Sequence, residues 1–384
     1  MERWQDLFGR AALGALTRSD SYIQGFEYIK LLAERVREAR LEVLRNLEYY
    51  IDKTLKAVEN LGGHSYVAKD AEEARRIVGD IVGKGKVVVF GKSNTALEVG
   101  LREHLAKLGN EVWETDLGEF IVQIGEDKPS NMIAPALHLD RKDVARLFKE
   151  RLNLDLPDDP SALASAAGEF LRQKFVRADV GVTGANAIAA DTGAVVNVEN
   201  EGNIRKATIL PPVHIVVAGV EKIVPTLPDA INQAIVQAAY HGLYPPTYIE
   251  ISAGPSSTGD IELVRVRPAQ GPREFHLVLV DNGRRKAAED PVLRQALLCI
   301  RCVRCGFVCP IYKTVGREFG EPPYVGPVGV MWLAVTKGIE AAGPAALMCA
   351  HAGNCKEVCP MKIDIPEVIR YIRTNYLRRI RSTS

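Results

Sequence analysis

The cysteines of this chain are confined to one stretch near its C-terminal end. All seven lie between Cys299 and Pro360, and the 298 residues before that stretch contain none. Four of them follow the pattern C-x2-C-x2-C-x3-C-P at positions 299, 302, 305 and 309. The other three begin 40 residues later and follow C-x5-C-x3-C-P at positions 349, 355 and 359. Several thiols on one tight loop, closed by a proline that fixes φ and turns the chain away, indicate a loop wrapped around a bound metal group.

The first run has the cysteine spacing of bacterial-type ferredoxins, in which the fourth cysteine binds the other of two iron–sulfur clusters. Disulfides fit poorly, because seven thiols cannot all pair and the N-terminus does not have the form of a signal peptide. Zinc favours two C-x2-C pairs separated by a spacer. We therefore predict a first [4Fe-4S] cluster on Cys299, Cys302, Cys305 and Cys359, and a second cluster on Cys309, Cys349 and Cys355.

The second run lacks one cysteine. A regular ferredoxin run would place it at position 352, where the sequence has Ala352. Three thiolates resemble the [3Fe-4S] site of succinate dehydrogenase iron–sulfur subunits. The alternative is a [4Fe-4S] cluster with one iron held by water, substrate or a partner protein. His351 is a further candidate for that ligand, although loop histidines are more often solvated.

Length and composition narrow the class of protein. A chain of 384 residues has room for two or three domains, and 47% hydrophobic with 25% charged residues is ordinary for a soluble globular protein. The net charge of +1 gives no electrostatic indication of nucleic-acid binding. No apolar run approaches the ~20 residues of a membrane-spanning helix. We expect a cytoplasmic protein, which could reach a membrane through a partner.

The chain divides into three predicted domains. Residues 1–62 have apolar residues at helical spacing and form a helical arm that ends at Leu61-Gly62-Gly63. Residues 63–285 form an α/β body. Residues 286–384 form a helical two-cluster ferredoxin domain, in which helices at Val325–Ala342 and after Pro366 flank the second cysteine run.

The body alternates strands and helices. Lys86–Phe90 is a short apolar strand, the helix Thr95–Leu108 follows it, and Val112–Thr115 is the next strand. This order favours parallel βαβ units, whose ligands bind at the carboxyl ends of the strands. We predict further strands at Val180–Val182, Ala194–Val198, His214–Ala218 and His276–Val280. The sequence has neither a G-x-G-x-x-G fingerprint nor a Walker A motif, so a dinucleotide or triphosphate site has no sequence support.

Polar residues collect just after several of these strands. Each group alone is typical of a turn, but their shared position in an α/β body predicts a pocket. The predicted substrate-binding residues are Lys92, Ser93, Glu98, Asp116, Glu119, Asn200, Glu201 and Asn203.

Stretches of the body and of the first cysteine run also resemble a known family, lactate utilisation protein B. They are Glu114–Gln123, Ala178–Asn186, Asp191–Gly193, Val198–Asn203, Gly219–Pro225, His276–Arg284 and Cys299–Cys302. The resemblance implies a LUD body similar in fold to ribose-phosphate isomerase and CoA-transferase domains. It also implies oxidation of L-lactate to pyruvate with a cysteine-rich protein A and a second LUD protein C. Members usually have C-x2-C-x3-C-P as the second run, whereas here the first of those cysteines stands at 349.

From these observations we predict an iron–sulfur electron-transfer subunit of an L-lactate-oxidising complex, as part of an oxidoreductase. One alternative is an iron–sulfur subunit for another 2-hydroxy acid or for disulfide oxidoreduction. Another is a stand-alone LUD enzyme that binds a phosphate or CoA ester and uses its clusters for structure. The sequence assigns no catalytic residue, since His138, His214 and Glu201 are candidate proton acceptors that nothing distinguishes from ordinary polar residues.

Overall fold

Three helices precede the body in the computed structural model, which describes residues 2–383. They are α1 (Glu2–Gly25), α2 (Tyr28–Arg45) and α3 (Leu47–Asn60). The predicted helical arm therefore bends twice, near residues 26 and 46. Phe8 of α1 and Val36 of α2 pack into the same core as the cysteine region. Ile51 and Val58 of α3 pack instead against the body, so the N-terminal helices hold the two regions together.

The body contains ten strands and eight helices in the described chain. In order they are β1 (His64–Ala68), α4 (Ala71–Val82), β2 (Val87–Gly91), α5 (Asn94–Glu98), α6 (Leu101–Lys107), β3 (Glu111–Glu114), α7 (Leu117–Ile124), α8 (Arg141–Leu152), α9 (Pro160–Arg177), β4 (Val180–Thr183), β5 (Ala187–Ala189), β6 (Val195–Glu199), α10 (Asn203–Ile209), β7 (Val213–Gly219), β8 (Ile223–Val224), α11 (Leu227–His241), β9 (Tyr248–Ser252) and β10 (Glu274–Val280).

Six of these strands form one parallel sheet in the order β1-β10-β7-β4-β2-β3. The register is continuous, with Phe90 of β2 beside Val182 of β4 and Val182 beside Ile215 of β7. Helices cover both faces of the sheet, which is why its strands are apolar runs buried on both sides. The predicted parallel α/β body is therefore confirmed. Four strands form a second sheet, β8-β5-β6-β9, in which β6 runs antiparallel to both of its neighbours.

Local conformation explains where the elements differ from the predictions. The helix expected at Thr95–Leu108 is interrupted at Gly100, whose φ of 65° places it in the left-handed region. The segment predicted as strand Ala194–Val198 does form β6, but it belongs to the second sheet rather than the parallel one. The helix expected at Val325–Ala342 divides at Gly338, where φ is 90°. Each break occurs at a glycine, because only glycine adopts positive φ without steric cost.

The C-terminal region is mainly helical. It contains α12 (Arg284–Glu289), α13 (Arg304–Phe307), α14 (Pro310–Val315), the two-residue strands β11 (Gly320–Glu321) and β12 (Tyr324–Val325), and α15 (Gly326–Lys337), α16 (Ile339–Met348), α17 (Asn354–Glu357) and α18 (Ile365–Thr383). A 3₁₀ turn, Leu293–Leu298, leads into the first cysteine run. The centre of this region is α15, which is buried from Gly326 to Val335. Between residues 2 and 383, no helix has the length and apolar character needed to cross a membrane.

Candidate functional site

The seven thiols surround two separate cavities in the C-terminal region. One cavity is lined by Cys299, Cys302, Cys305 and Cys359. The other is lined by Cys309, Cys349 and Cys355. The remaining walls are mostly apolar, with Val328 and Met331 at the first cavity and Phe319 and Ile369 at the second. The cysteines thus fall into the two groups that the sequence predicts as ligand sets, and their role as ligands stays a prediction.

The cysteine loops are shaped to point amide N–H groups at sulfur. The N–H of Arg301 donates to Sγ of Cys299 at 3.4 Å, and the N–H of His351 donates to Sγ of Cys349 at 3.5 Å. Both donors have positive φ, 64° for Arg301 and 52° for His351, which non-glycine residues rarely adopt. Backbone held in such a conformation is common at ligand sites. Amide donors aimed at sulfur stabilise the thiolate that iron requires.

Burial disfavours the thiolate form of these cysteines. Burial, together with the charges of neighbouring thiolates, raises the pKa of Cys355 to about 12 and the pKa of Cys359 to about 11. None of the seven forms a disulfide. Converging buried thiols of this kind fit a cationic iron–sulfur group, which binds them deprotonated. Within residues 2–383 no three His, Cys, Asp or Glu side chains converge on a single metal ion. That finding does not conflict with clusters, because a cluster holds its thiolates at separate iron atoms.

A third cavity, of about 230 Å³, lies at the carboxyl edge of the parallel sheet. Lys92 and Ser93 reach it from the end of β2, and Asp116 from the end of β3. Lys222 reaches it just beyond β7, and His241 from the end of α11. This is the edge at which α/β sheets generally bind ligands. We call this the central cavity.

The central cavity extends to the first cysteine loop. Arg301 and Tyr324 form part of its wall. Arg301 lies between Cys299 and Cys302 in the chain, and Nδ1 of His241 is 3.2 Å from the carbonyl oxygen of Cys302. A ligand in the central cavity would therefore lie beside the loop that surrounds the first thiol cavity.

Six of the eight predicted pocket residues line the central cavity. They are Lys92, Ser93, Asp116, Asn200, Glu201 and Asn203. The structure does not place Glu98 and Glu119 in that wall. Glu98 is turned toward Arg284, whose Nη2 is 2.7 Å from Glu98 Oε2. Glu119 is buried behind Lys92 and Asp116, where α7 begins.

Sequence reasoning did not select Glu199, Lys222, His241, Arg301 and Tyr324 for the pocket. Lys222 lies within the stretch Gly219–Pro225, which carries the family resemblance, and Arg301 lies within the cysteine run. Both residues therefore lie in stretches that the sequence already singles out, and this position could have indicated them as pocket residues. His241 and Tyr324 reach the cavity only because distant segments fold together, so no local pattern indicates them.

The charged side chains at the cavity wall shift one another's pKa. Lys92 Nζ lies 3.1 Å from Asp116 Oδ2 and donates to the carbonyl oxygen of Ile133 at 2.6 Å. Burial opposes the charge of Lys92, but Asp116 and Glu119 outweigh it and raise the pKa of Lys92. Burial, together with the charge of Asp116, raises the pKa of Glu201 to about 7. Burial also lowers the pKa of His241 to about 4, so this imidazole is neutral at pH 7.

Several polar atoms around the cavity have no hydrogen-bond partner within the described chain. The atoms without a hydrogen-bond partner are Oδ1 of Asn94, Nδ2 of Asn203, Nε of Arg301 and Oε1 of Glu199, the last of which lies 3.5 Å from Arg205 Nε. Asn203 and Arg301 are 6% and 3% exposed, so bulk water does not solvate them freely. Buried polar groups are nearly always hydrogen-bonded, so each unpaired one calls for an explanation, and a bound ligand with complementary polar atoms is one. The two donors favour a ligand with an anionic or carbonyl oxygen.

A buried ion network joins the cavity wall to the body. Glu221 lies between two guanidinium groups, accepting from Arg284 Nε and from Arg301 Nη2, the latter at 2.9 Å. The guanidinium of Arg301 also stacks 3.6 Å from the ring centre of Trp332. These contacts fix the orientation of Arg301 between the central cavity and the first thiol cavity.

Two domain families and several known proteins are similar to this chain. The LUD domain model matches residues 51–280, and the 4Fe-4S dicluster domain model matches residues 295–363. Lactate utilization protein B of Bacillus subtilis (strain 168) is 37% identical over 92% of this chain and 72% of its own length. The protein of the same name from Bacillus licheniformis is 38% identical over 90% of this chain and 70% of its own. A DUF162 family protein of known structure from Deinococcus radiodurans is 13% identical and has a TM-score of 0.34, over 61% of this chain and 97% of that one. That structural similarity is too remote to bear on function.

Proposed function

Because this chain belongs to the lactate utilization protein B family, we propose that it is an iron–sulfur electron-transfer subunit of a complex that oxidises L-lactate to pyruvate. The central cavity is the proposed binding site for the 2-hydroxy acid. One observation carries the proposal: this cavity shares Arg301 with the cysteine loop of the first thiol cavity. We also propose that the LUD body is similar in fold to ribose-phosphate isomerase and CoA-transferase domains. The loops at the ends of its strands form the site.

The cavity has the groups that a small 2-hydroxy carboxylate needs. The unpaired N–H groups of Arg301 and Asn203 would bind carboxylate oxygens, since charged donors make the stronger hydrogen bonds to carboxylates. Glu201 has a pKa of about 7 and would accept the hydroxyl proton. Lys92 would remain protonated between Asp116 and the substrate, because Asp116 and Glu119 raise its pKa.

Oxidation of lactate to pyruvate removes two electrons and two protons. Iron–sulfur clusters, when bound at the cysteine sites, accept electrons one at a time. On the proposal, Glu201 receives the hydroxyl proton, and the carbon-bound hydrogen requires an acceptor outside this chain. The sequence carries no dinucleotide fingerprint, so we assign that acceptor and the final electron acceptor to partner subunits, which are lactate utilisation proteins A and C or equivalents.

The test compares the chain alone with the complex. The cluster-loaded full chain is mixed with L-lactate and an artificial electron acceptor, with and without proteins A and C. We expect turnover by the reconstituted complex and little by the single chain. Equal rates from both would refute the subunit assignment. A redox titration distinguishes this proposal from the alternative of a stand-alone LUD enzyme with structural clusters. Structural clusters would not change oxidation state when lactate is added to the complex.

A second experiment tests the role of Glu201. The variant Glu201→Gln keeps an acceptor oxygen for the N–H of Leu117, which Glu201 Oε2 accepts at 3.0 Å. A general base contributes roughly 100-fold or more to the rate, so kcat of the complex should fall by about that factor while KM changes little. The wild-type rate should rise with pH through about 7, where Glu201 loses its proton, and the variant should lose this dependence. Glu262→Gln, in an exposed loop, is the matched control. An unchanged pH profile in Glu201→Gln would exclude this carboxylate as the base.

The size of the cavity favours a second candidate substrate class. At about 230 Å³ the central cavity has room for roughly 8 water molecules at about 30 Å³ each, more than a three-carbon acid fills. A larger 2-hydroxy acid is therefore the alternative substrate for the same site. Competition assays in the complex distinguish the two, since the preferred acid has the higher kcat/KM.

A further inference from the structure

The two cysteine runs are copies of one another at a spacing of 50 residues. The matching pairs are Cys299 with Cys349, Cys305 with Cys355, Cys309 with Cys359, and Pro310 with Pro360. Within each copy the cysteines come at the same offsets. The exception is the second cysteine of the first copy, Cys302, whose counterpart is Ala352.

The backbone repeats as closely as the sequence. The φ and ψ angles are −66° and 122° at Cys299, and −64° and 123° at Cys349. Arg301 and His351 both have positive φ and both donate their N–H to the sulfur two residues before them. A backbone hydrogen bond near the end of each copy also matches. The N–H of Cys309 donates to the carbonyl oxygen of Gly306, and the N–H of Cys359 donates to that of Lys356, at 3.2 Å in both. Ala352 therefore occupies the backbone position that presents Cys302 to the first thiol cavity.

The surroundings of the two positions differ. Cys302 is 8% exposed and lies beneath the body, with His241 hydrogen-bonded to its carbonyl oxygen. Ala352 lines the second thiol cavity and is exposed to solvent, as is its neighbour Asn354. The corner that a thiolate would fill at the second site is therefore reachable from outside the protein.

His351 is the competing protein ligand for that corner, because it also lines the second thiol cavity. It is the counterpart of Arg301, whose side chain extends away from the cysteines to Glu221 and Trp332. The matching backbone gives the Cα–Cβ bond of His351 the same direction, and the variant His351→Ala below tests whether its imidazole reaches the cluster. The chain itself thus provides three thiolates at the second site and a methyl group where the fourth would be.

We propose that the second cluster is a [4Fe-4S] cluster with an open coordination position beside Ala352, which binds a small anionic ligand from solution. Iron that lacks a protein ligand takes an exogenous one, as metal sites with an open position do. The inference needs only that the second site holds a cluster. It does not depend on lactate as substrate, and it is tested without lactate or partner proteins.

The experiment uses the full chain, loaded with iron and sulfide under anaerobic conditions and reduced, with ¹³C-labelled cyanide as the probe. We expect about eight irons per chain and a ¹³C hyperfine coupling in the electron–nuclear double resonance spectrum. Ala352→Cys should abolish the coupling, because the new thiolate occupies the open position. Ala341→Cys adds a thiol at an exposed alanine of α16 and should leave the coupling unchanged.

The variant His351→Ala provides a second test in case Ala352→Cys does not take up iron and sulfide. We expect the ¹³C coupling to persist in His351→Ala at the wild-type strength. A histidine nitrogen coupling in the wild type that disappears in this variant would overturn the proposal. So would about seven irons per chain after loading with excess iron, because that count indicates a three-iron cluster with no position to bind cyanide.

Discussion

Replacing Glu221 by glutamine should destabilise the protein more than any substitution at a surface ion pair. Glu221 is fully buried and accepts hydrogen bonds from Arg284 and Arg301, which are 0% and 3% exposed. Glutamine has nearly the same shape but no charge. Arg284 would keep Glu98 as a partner, whereas Arg301 would remain buried after losing the carboxylate that it binds, and an uncompensated buried charge typically costs about 3–5 kcal/mol.

The pKa of Glu221 gives an independent estimate. Burial alone would raise this pKa, but Arg284 and Arg301 lower it from 4.5 to about 2. A difference of about 2.5 units at 1.36 kcal/mol per unit corresponds to about 3 kcal/mol. This stabilisation is complete above pH 4.5 and is lost as pH falls toward 2, so it is fully present at neutral pH. The two estimates agree.

Thermal unfolding of the cluster-loaded chain measures the effect. For 384 residues the unfolding entropy is about 0.8 kcal/mol/K, so 3 kcal/mol lowers the apparent Tm by about 4 °C. All variants are scanned at one rate, because cluster loss makes unfolding irreversible. Glu48→Gln is the control. It removes the pair with Arg285, in which Glu48 is 63% exposed, and should shift Tm by about 1 °C or less. Equal shifts in the two variants would refute the reasoning.

Two further predictions concern the cysteines and a buried carboxylate. Cys359→Ser should remove the EPR signal of the first cluster and Cys309→Ser that of the second, because each lines the cavity of the opposite run; loss of the same signal from both variants would show that this ligand sharing is wrong. Burial and the charge of Glu119 raise the pKa of Glu114 to about 8, so the folded state binds more protons than the unfolded state and stability falls as pH rises from 4.5 to 8. Glu114→Gln removes one such group, so its Tm should rise relative to wild type between pH 6 and 9, and a parallel decline in both proteins would contradict the prediction.

Sequence alone was informative wherever local pattern fixes structure. The stretch Val87–Phe90 is apolar and β-branched, and it forms a strand of the predicted parallel sheet. The loop after it carries Lys92 and Ser93 to the carboxyl edge, because chain direction determines at which end of a parallel strand the next loop lies. The cysteine spacing likewise indicates which thiols share a loop. These features depend on residues close together in the chain.

Tertiary structure decided what lies opposite those loops. Glu98 follows the same strand as Lys92, yet it turns away from the central cavity because the buried cation Arg284, 186 positions later, binds it. His241 enters the cavity wall from the end of α11 and Tyr324 enters it from the C-terminal region, and no local spacing predicts that they meet there. The greatest difference is between the two copies of the cysteine loop. Their local sequences produce the same backbone, but packing against the body buries Cys302 while Ala352 faces solvent. Periodicity and spacing determine local conformation, whereas burial and charge pairing between distant segments depend on how the whole chain folds.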